Sequence, residues 1–430
     1  MTQSRGWRPW PRQGRRRRAL FAALVAAVTG SLVWQGLLAG SAQSTAPLLT
    51  TSSWRVVTDP TGKSAEGAAA QGPTAENAWV AQGSDPGTGG RWADMTHWAL
   101  VDLRQLSGKN GSMSAGAARY WSYTWPRDAA FAAAALARTG HVGEAWQMID
   151  FLRSVQEDDG GFEARYRPDG TGSPDARERQ SDGAAWALWG TAQVLAQTKD
   201  DDARVAQLVA HYDMVDEASD YLMRLTFSGT TMPPPGPDYW EVPTRKLTLG
   251  TAAPVLFGLR AAAQLYGELG SPALATRASG AADQYQRVLY QTFARKGFQR
   301  YPAGGGVDAA ITFLMPPFVE HPRADVVRAW RKYQRDAERP AGGLAPGTSW
   351  KNDGISWTPE VGLVALTAAA SGDQTRAEHW LDWLDWHRVP WGSLPEKVLG
   401  DGSPAGPAPL AWTASSVLIA VATLRDRGTG

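Results

Sequence analysis

Residues 183–196 read GAAWALWGTAQVLA, and that stretch decides the fold. It holds no charge, and apolar side chains occupy every turn of a 3.6-residue helix rather than one stripe. A helix apolar nearly all round must be buried on most sides, and its Gly and Ala let neighbouring helices approach closely. The same character returns in AAFAAAALA (129–137), GTAAPVLFGLRAAAQL (250–265), EVGLVALTAAA (360–370) and ASSVLIAVATL (414–424). Helices of a second kind lie between them. In 141–156, Val142, Ala145, Trp146, Met148, Ile149, Leu152 and Val155 keep to one side, while Glu144, Gln147, Asp150 and Arg153 face away.

Twelve helices are expected, over roughly 90–106, 127–139, 141–156, 182–198, 201–227, 248–268, 271–293, 307–315, 321–338, 358–370, 373–387 and 410–427. Odd members are half-exposed and even members buried. That alternation implies two concentric rings, an all-α (α/α) toroid of six hairpins over residues 91–430. The alternative is an open α-solenoid, but no fixed repeat of about 34 or 40 residues marks one.

Composition narrows the function. Forty-three basic against 42 acidic residues leave a net charge of +1, which gives nucleic acid no electrostatic footprint. Cysteine is absent, so disulfides, thiolate nucleophiles and cysteine–zinc sites are excluded. Six histidines are scattered, so no metal ligands are assigned. The 21 tryptophans equal the 11 tyrosines and 10 phenylalanines together. Such usage suits flat apolar ligands, sugar rings among them, although large core anchors account for more than half on the plainer reading.

Arg15–Arg18 precede the uncharged run 19–40, ALFAALVAAVTGSLVWQGLLAG, which is long enough to span a bilayer. Gly40-Ser41-Ala42 then resembles a signal-peptidase site. Residues 1–42 are read as a cleaved signal peptide or a single retained anchor. Either places the remainder outside the cytoplasm, secreted or tethered. Residues 43–90, rich in Ser, Thr, Gly and Ala, read as a tether, and a monomer is the expected state.

The unusual residues gather in loops that enter the even helices. They are Tyr120–Asp128 (YWSYTWPRD), then Arg177, Arg179 and Ser181-Asp182-Gly183, then Pro237–Glu241 (PDYWE). Trp350, Asn352-Asp353 and Trp357 precede the tenth helix, and Trp391–Lys397 (WGSLPEK) precede the twelfth. In a toroid these loops converge on one rim. Taken singly, Asp128 and Asp182 are helix caps and Trp125, Trp240 and Trp391 rim packing. Glu241 or Glu396 alone is a solvated loop residue. Their recurrence at equivalent positions argues against that reading. Paired carboxyl groups and aromatic walls, with no metal or cofactor, are what glycoside hydrolysis needs: one acid protonates the leaving oxygen and the other carboxylate activates water.

These motifs resemble glycoside hydrolase family 15, the glucoamylase family, over roughly 91–430. Tyr123–Asp128 resembles the family's first motif, whose Arg and Asp hold the terminal sugar. Arg179–Gly183 resembles the second. Asp238–Glu241 resembles the third, whose glutamate is the general acid. Gly392–Glu396 followed by Pro409–Trp412 resembles the last, whose glutamate is the general base. The resemblance implies an inverting, exo-acting hydrolase releasing glucose from α-glucosides of an oligo- or polysaccharide. It assigns catalysis to Glu241 and Glu396; together with the rim residues, the substrate-binding set expected is Tyr123, Trp125, Arg127, Asp128, Asp182, Trp240, Trp357 and Lys397.

Departures bear on the substrate. Trp121 stands where members often carry tyrosine, Val242 follows the acid where glutamate is common, and Lys397 follows the base where glutamine is common. Residues 343–349 lack an arginine that many members use beyond the cleavage point. Lys397 is read either as a ligand for an anionic glycan or as an ion-pair partner of an acid such as Asp401. Two other classes compete. A non-catalytic sugar-binding protein would keep the tryptophans and Arg127-Asp128 without needing both glutamates. A terpene-cyclase-like toroid is suggested by Gln156–Phe162, but its Asp-x-Asp-Asp acid motif has no convincing match.

Overall fold

The computed structural model describes residues 48–49 and 74–428. Thirteen α-helices run through them: α1 (Thr74–Val80), α2 (Ala93–Leu106), α3 (Pro126–Arg138), α4 (Val142–Ser154), α5 (Gly183–Gln197), α6 (Asp201–Ala210), α7 (Tyr212–Leu225), α8 (Leu249–Glu268), α9 (Pro272–Phe293), α10 (Ala324–Asp336), α11 (Thr358–Ser371), α12 (Gln374–Trp386) and α13 (Ala411–Asp426). A 3₁₀ segment spans Ala309–Leu314.

The inner ring closes on itself. α3 packs on α5, α5 on α8, α8 on the 3₁₀ segment, that segment on α11, α11 on α13, and α13 back on α3. α2, α4, α7, α9, α10 and α12 pack outside them. The all-round apolar helices are indeed the inner ones, and closure of the ring removes the solenoid alternative. Side-chain size sets the spacing: a Cβ on Gly190 of α5 would meet Cβ of Ala130 on α3 at 3.0 Å, and one on Gly258 of α8 would meet Cβ of Ala185 at 2.6 Å. Any larger residue would force these inner helices apart.

The axis is filled rather than open. Phe131 lies 5.4 Å from Trp186 and 5.8 Å from Trp412, and Trp186 lies 4.8 Å from Phe257 and 5.2 Å from Phe313, measured between ring centroids. Five inner elements thus contribute rings to one aromatic plug.

Three expectations change. The fifth helix is two, α6 and α7, parted at His211, whose ring bonds Gln207 O and Asp150 Oδ1. The eighth is a short 3₁₀ segment, opened by Asp308 accepting from Ala310 N and followed at once by Pro316-Pro317, which end any longer helix. Within the stretch read as a tether, α1 packs against α2 and buries Trp79 and Val80.

Four short strands add a sheet that periodicity could not announce: β1 (Leu48–Leu49), β2 (Ser356–Trp357), β3 (Lys397–Val398) and β4 (Pro404–Pro407), in the order β1-β4-β3-β2. β1 runs parallel to β4, and the other pairs are antiparallel. The apolar run 19–40 lies outside the described residues. Among those described, no helix is long and apolar enough to cross a membrane.

Candidate active site

Loops entering five of the six inner elements wall one cavity of about 330 Å³. Glu241 and Glu396 both line it, together with Trp125, Arg127, Asp128, Trp240, Trp357 and Lys397.

Glu241 is held in an unusual backbone conformation. Its φ is +56°, in the left-handed region, which costs a non-glycine residue about 1–3 kcal/mol and persists only where the surroundings enforce it. Here they do. Asp238 O accepts from Glu241 N at 2.8 Å, and Asp238 Oδ1 accepts from Trp240 N at 3.1 Å. Asp238 is fixed in turn by Arg300, which donates to it at 3.0 Å and to Asp308 at 2.9 Å. All three are fully buried, and Tyr239 donates its hydroxyl to Asp308 at 2.5 Å. The Arg300 guanidinium lies 3.4 Å from the Trp240 ring centroid, so one residue supports both the carboxylate and the indole of the turn. The Glu241 side chain accepts from Arg177 at 2.5 Å, Gln180 at 2.6 Å and Trp125 at 3.2 Å, with Arg127 at 3.9 Å.

Glu396 is placed by the sheet. β3 begins just after it, and Lys397 pairs in register with Trp357 of β2. Glu396 Oε1 accepts from Trp121 Nε1 at 3.0 Å, and Oε2 forms an ion pair with Lys397 Nζ at 2.9 Å. The ammonium also lies 4.4 Å from the Trp357 centroid. Lys397 therefore pairs with Glu396 rather than Asp401, which accepts from Ser403 N instead. Gly406 of β4, at φ +71°, lets the strand pass: a Cβ there would sit 2.9 Å from Glu396 Oε2.

Asp128 lies in the first turn of α3, whose N-cap is Trp125, and Asp182 stands at the N-cap of α5 but makes no side-chain capping bond. Asp128 pairs with Arg127 at 3.1 Å, and burial raises its pKa against that attraction. The guanidinium stacks 4.2 Å from the Trp412 centroid, while Nε and Nη1 make no hydrogen bond within the protein. Buried donors of this kind fit ligand hydroxyls. Asp182 lies behind the wall and accepts from Trp186 Nε1 at 2.8 Å; burial pushes its pKa up to about 6, opposed by Arg127. Tyr123 also stands behind the lining, its ring 4.6 Å from the guanidinium of Arg165, which does line the cavity. Trp391 is buried away from it.

Sequence reading missed three participants. Arg165 had no motif to mark it. Arg300 is remote in sequence from the 343–349 stretch where an arginine was sought, although its partner Asp308 bridges to Gly347. Glu360 did leave a signal, as the one acidic residue of the apolar inner helix α11. It lines the cavity, and burial together with the charge of Glu396 pushes its pKa up to about 8. Among the described residues, no group of three His, Asp or Glu side chains is placed to hold a metal.

No protein-family model and no curated protein matches the chain. Solved structures do. A wild-type glycosidase superposes with a TM-score of 0.65 at 20% identity, over 81% of this chain and 98% of its own. A bacterial glucoamylase complexed with acarbose gives 0.65 at 16%, over 80% and 57%. The glucoamylase from Saccharomycopsis fibuligera gives 0.62 at 14%, over 77% and 94%. At these identities what the chain shares with the glycosidases and glucoamylases is the fold, a helical toroid of six hairpins.

Proposed function

We propose that the protein is an inverting, exo-acting glycoside hydrolase that removes a terminal α-linked glucosyl or similar sugar outside the cytoplasm. The observation that carries this reading is the meeting of Glu241 and Glu396, 155 positions apart in sequence, in one aromatic-walled cavity. Glu241 gives its proton to the glycosidic oxygen as the bond to the anomeric carbon breaks. Glu396 takes a proton from the water that attacks that carbon from the opposite face. One water is consumed, and the two carboxyl groups exchange protonation states until solvent restores them. Arg127 and Asp128 hold hydroxyls of the terminal sugar. The cavity volume, at the small end of the about 300–1,000 Å³ usual for ligand sites, suits a chain end better than a chain interior.

The substrate we infer is not ordinary starch. Val242 offers no side-chain hydrogen bond, and Lys397 places a cation beside Glu396, so the second sugar meets a changed surface. An exopolysaccharide, an envelope glycan or an isomalto-type oligosaccharide fits these changes. The test is hydrolysis across α-glucosides and envelope glycans, with the first-formed anomer read by NMR. Initial release of the β-anomer is expected. Release of the α-anomer overturns inversion, and a preference of more than about tenfold for the maltose series overturns the substrate reading. One observation favours a second reading, a non-catalytic sugar-binding protein: each glutamate is already paired with a cation. Saturable quenching of tryptophan fluorescence by sugars that are never cleaved would establish it.

A further inference from the structure

Glu360 has no role in the two-carboxylate scheme, yet it stands in the same cavity. It sits in the first turn of α11, on Trp357-Thr358-Pro359, and is 3% exposed. The rest of α11 is Thr, Pro, Val, Gly, Leu, Ala and a final Ser, so no other residue of the helix carries a charge. Its Oε2 atom is buried and makes no hydrogen bond within the protein. No cation among the described residues lies within ion-pair distance; Lys397 is committed to Glu396 and Arg127 to Asp128.

The titratable groups that face it from other elements are Glu396, Arg127, Asp308, Tyr239 and Tyr333. Arg127 and Glu396 line the same cavity as Glu360 and act on it electrostatically, so a sugar held against them would have a hydroxyl within its reach. Its own backbone N–H is the one hydrogen-bond donor to the carboxyl, and a buried carboxylate with no cation and one oxygen unbonded is a costly species, so the proton stays on instead. Burial, with the neighbouring charge of Glu396, outweighs that backbone hydrogen bond and the attraction of Arg127. A protonated carboxyl both donates and accepts, whereas an ionised one only accepts.

We propose that Glu360 is a third carboxyl of the sugar site, a specificity-determining residue that donates a hydrogen bond to one hydroxyl of the bound terminal sugar. This rests on the glycosidase reading. It differs from the roles of Glu241 and Glu396 in that no proton is transferred: Glu360 keeps its own throughout the turnover. It follows that Gln, with an amide donor of the same length, can replace it, and that Leu cannot.

The test compares wild type with Glu360→Gln and Glu360→Leu on the best-cleaved glycoside and its monodeoxy analogues, across the pH near 8 at which Glu360 ionises. Wild-type kcat/KM is expected to fall above that pH. Glu360→Gln keeps activity within a few-fold and loses that alkaline limb. Glu360→Leu loses about 10- to 100-fold on the parent glycoside. It also ceases to discriminate against the one deoxy analogue that wild type penalises, an outcome a merely structural role would not produce. If Glu360→Gln falls as far as Glu360→Leu, or retains the alkaline limb, or if Glu360→Leu keeps the full deoxy discrimination, the proposal is overturned while the glycosidase reading stands. If wild type cleaves no glycoside at all, the functional reading fails and this one falls with it.

Discussion

Replacing Arg300 with methionine isolates what holds the turn that carries Glu241. The side chain keeps its bulk and loses its charge, leaving Asp238 and Asp308 buried with no cation between them. Removing one partner of a buried charge network costs about 3–5 kcal/mol, because the remaining charges stay desolvated. Unfolding entropy near about 2.1 cal/mol/K per residue gives roughly 0.75 kcal/mol/K for about 350 packed residues, so the expected fall in Tm is about 4–7 °C. The same change removes the guanidinium under Trp240 and the anchor of Asp238, on which the positive φ of Glu241 depends. Turnover should therefore fall well below the level that loss of folded protein explains, measured far beneath the new Tm. Scanning calorimetry reads the stability. The control adds Asp238→Asn and Asp308→Asn, which neutralise the stranded carboxylates and should restore more than half of the lost Tm without restoring turnover. A fall of less than about 1 °C, or a triple variant no more stable than the single one, would refute the reasoning.

Glu241→Gln and Glu396→Gln should each lower kcat by about 10²–10⁴-fold while leaving Tm within a few degrees, since neither amide strands a buried charge; unchanged turnover in either removes that residue from the mechanism. Glu360 makes stability depend on pH in a direction opposite to the usual carboxylate. Its folded pKa of about 8 lies above the ordinary 4.5, so the folded state holds the proton longer and wild type loses stability as pH rises between those values. Glu360→Gln should be more stable than wild type by about 3 kcal/mol at pH 7 and equal to it at pH 4, as read by denaturant titration; an advantage that is the same at both pH values would contradict the buried proton. Gly406→Ala combines a strained φ with a methyl group directed at Glu396 Oε2, and should cut kcat at least tenfold for a loss of about 1–2 kcal/mol in stability; wild-type kcat would show that Glu396 tolerates displacement.

The ring architecture was legible because inner and outer helices bury different fractions of their surface, and that difference is written as composition: GAAWALWGTAQVLA against an amphipathic run such as 141–156. The break at His211 was not, since α6 and α7 continue one helical pattern and only the ring's bonds to Gln207 and Asp150 mark the joint. Strands of two to four residues are too short to show a period of two. In the cavity, residues carried by motifs were foreseen, Glu241 and Arg127-Asp128 among them. Their ionic partners were not. Arg177 on Glu241 and Lys397 on Glu396 are set by side-chain reach across loops, which spacing along a chain does not encode. Arg300 is the plainest case, a residue whose sequence surroundings are ordinary and whose burial between two aspartates makes it central.

The aromatic plug bears on traffic. Phe131, Trp186, Phe257 and Phe313 stop the toroid's axis, and Trp412 and Tyr239, which line the cavity, rest on those rings. Among the described residues, these rings close the axis beneath the cavity. With that end stopped, a long polymer bound by its end would have to let go after each cleavage and re-enter with its shortened end. On the proposed function such a site would work dispersively rather than processively, and the liberated unit would compete directly with the next arrival.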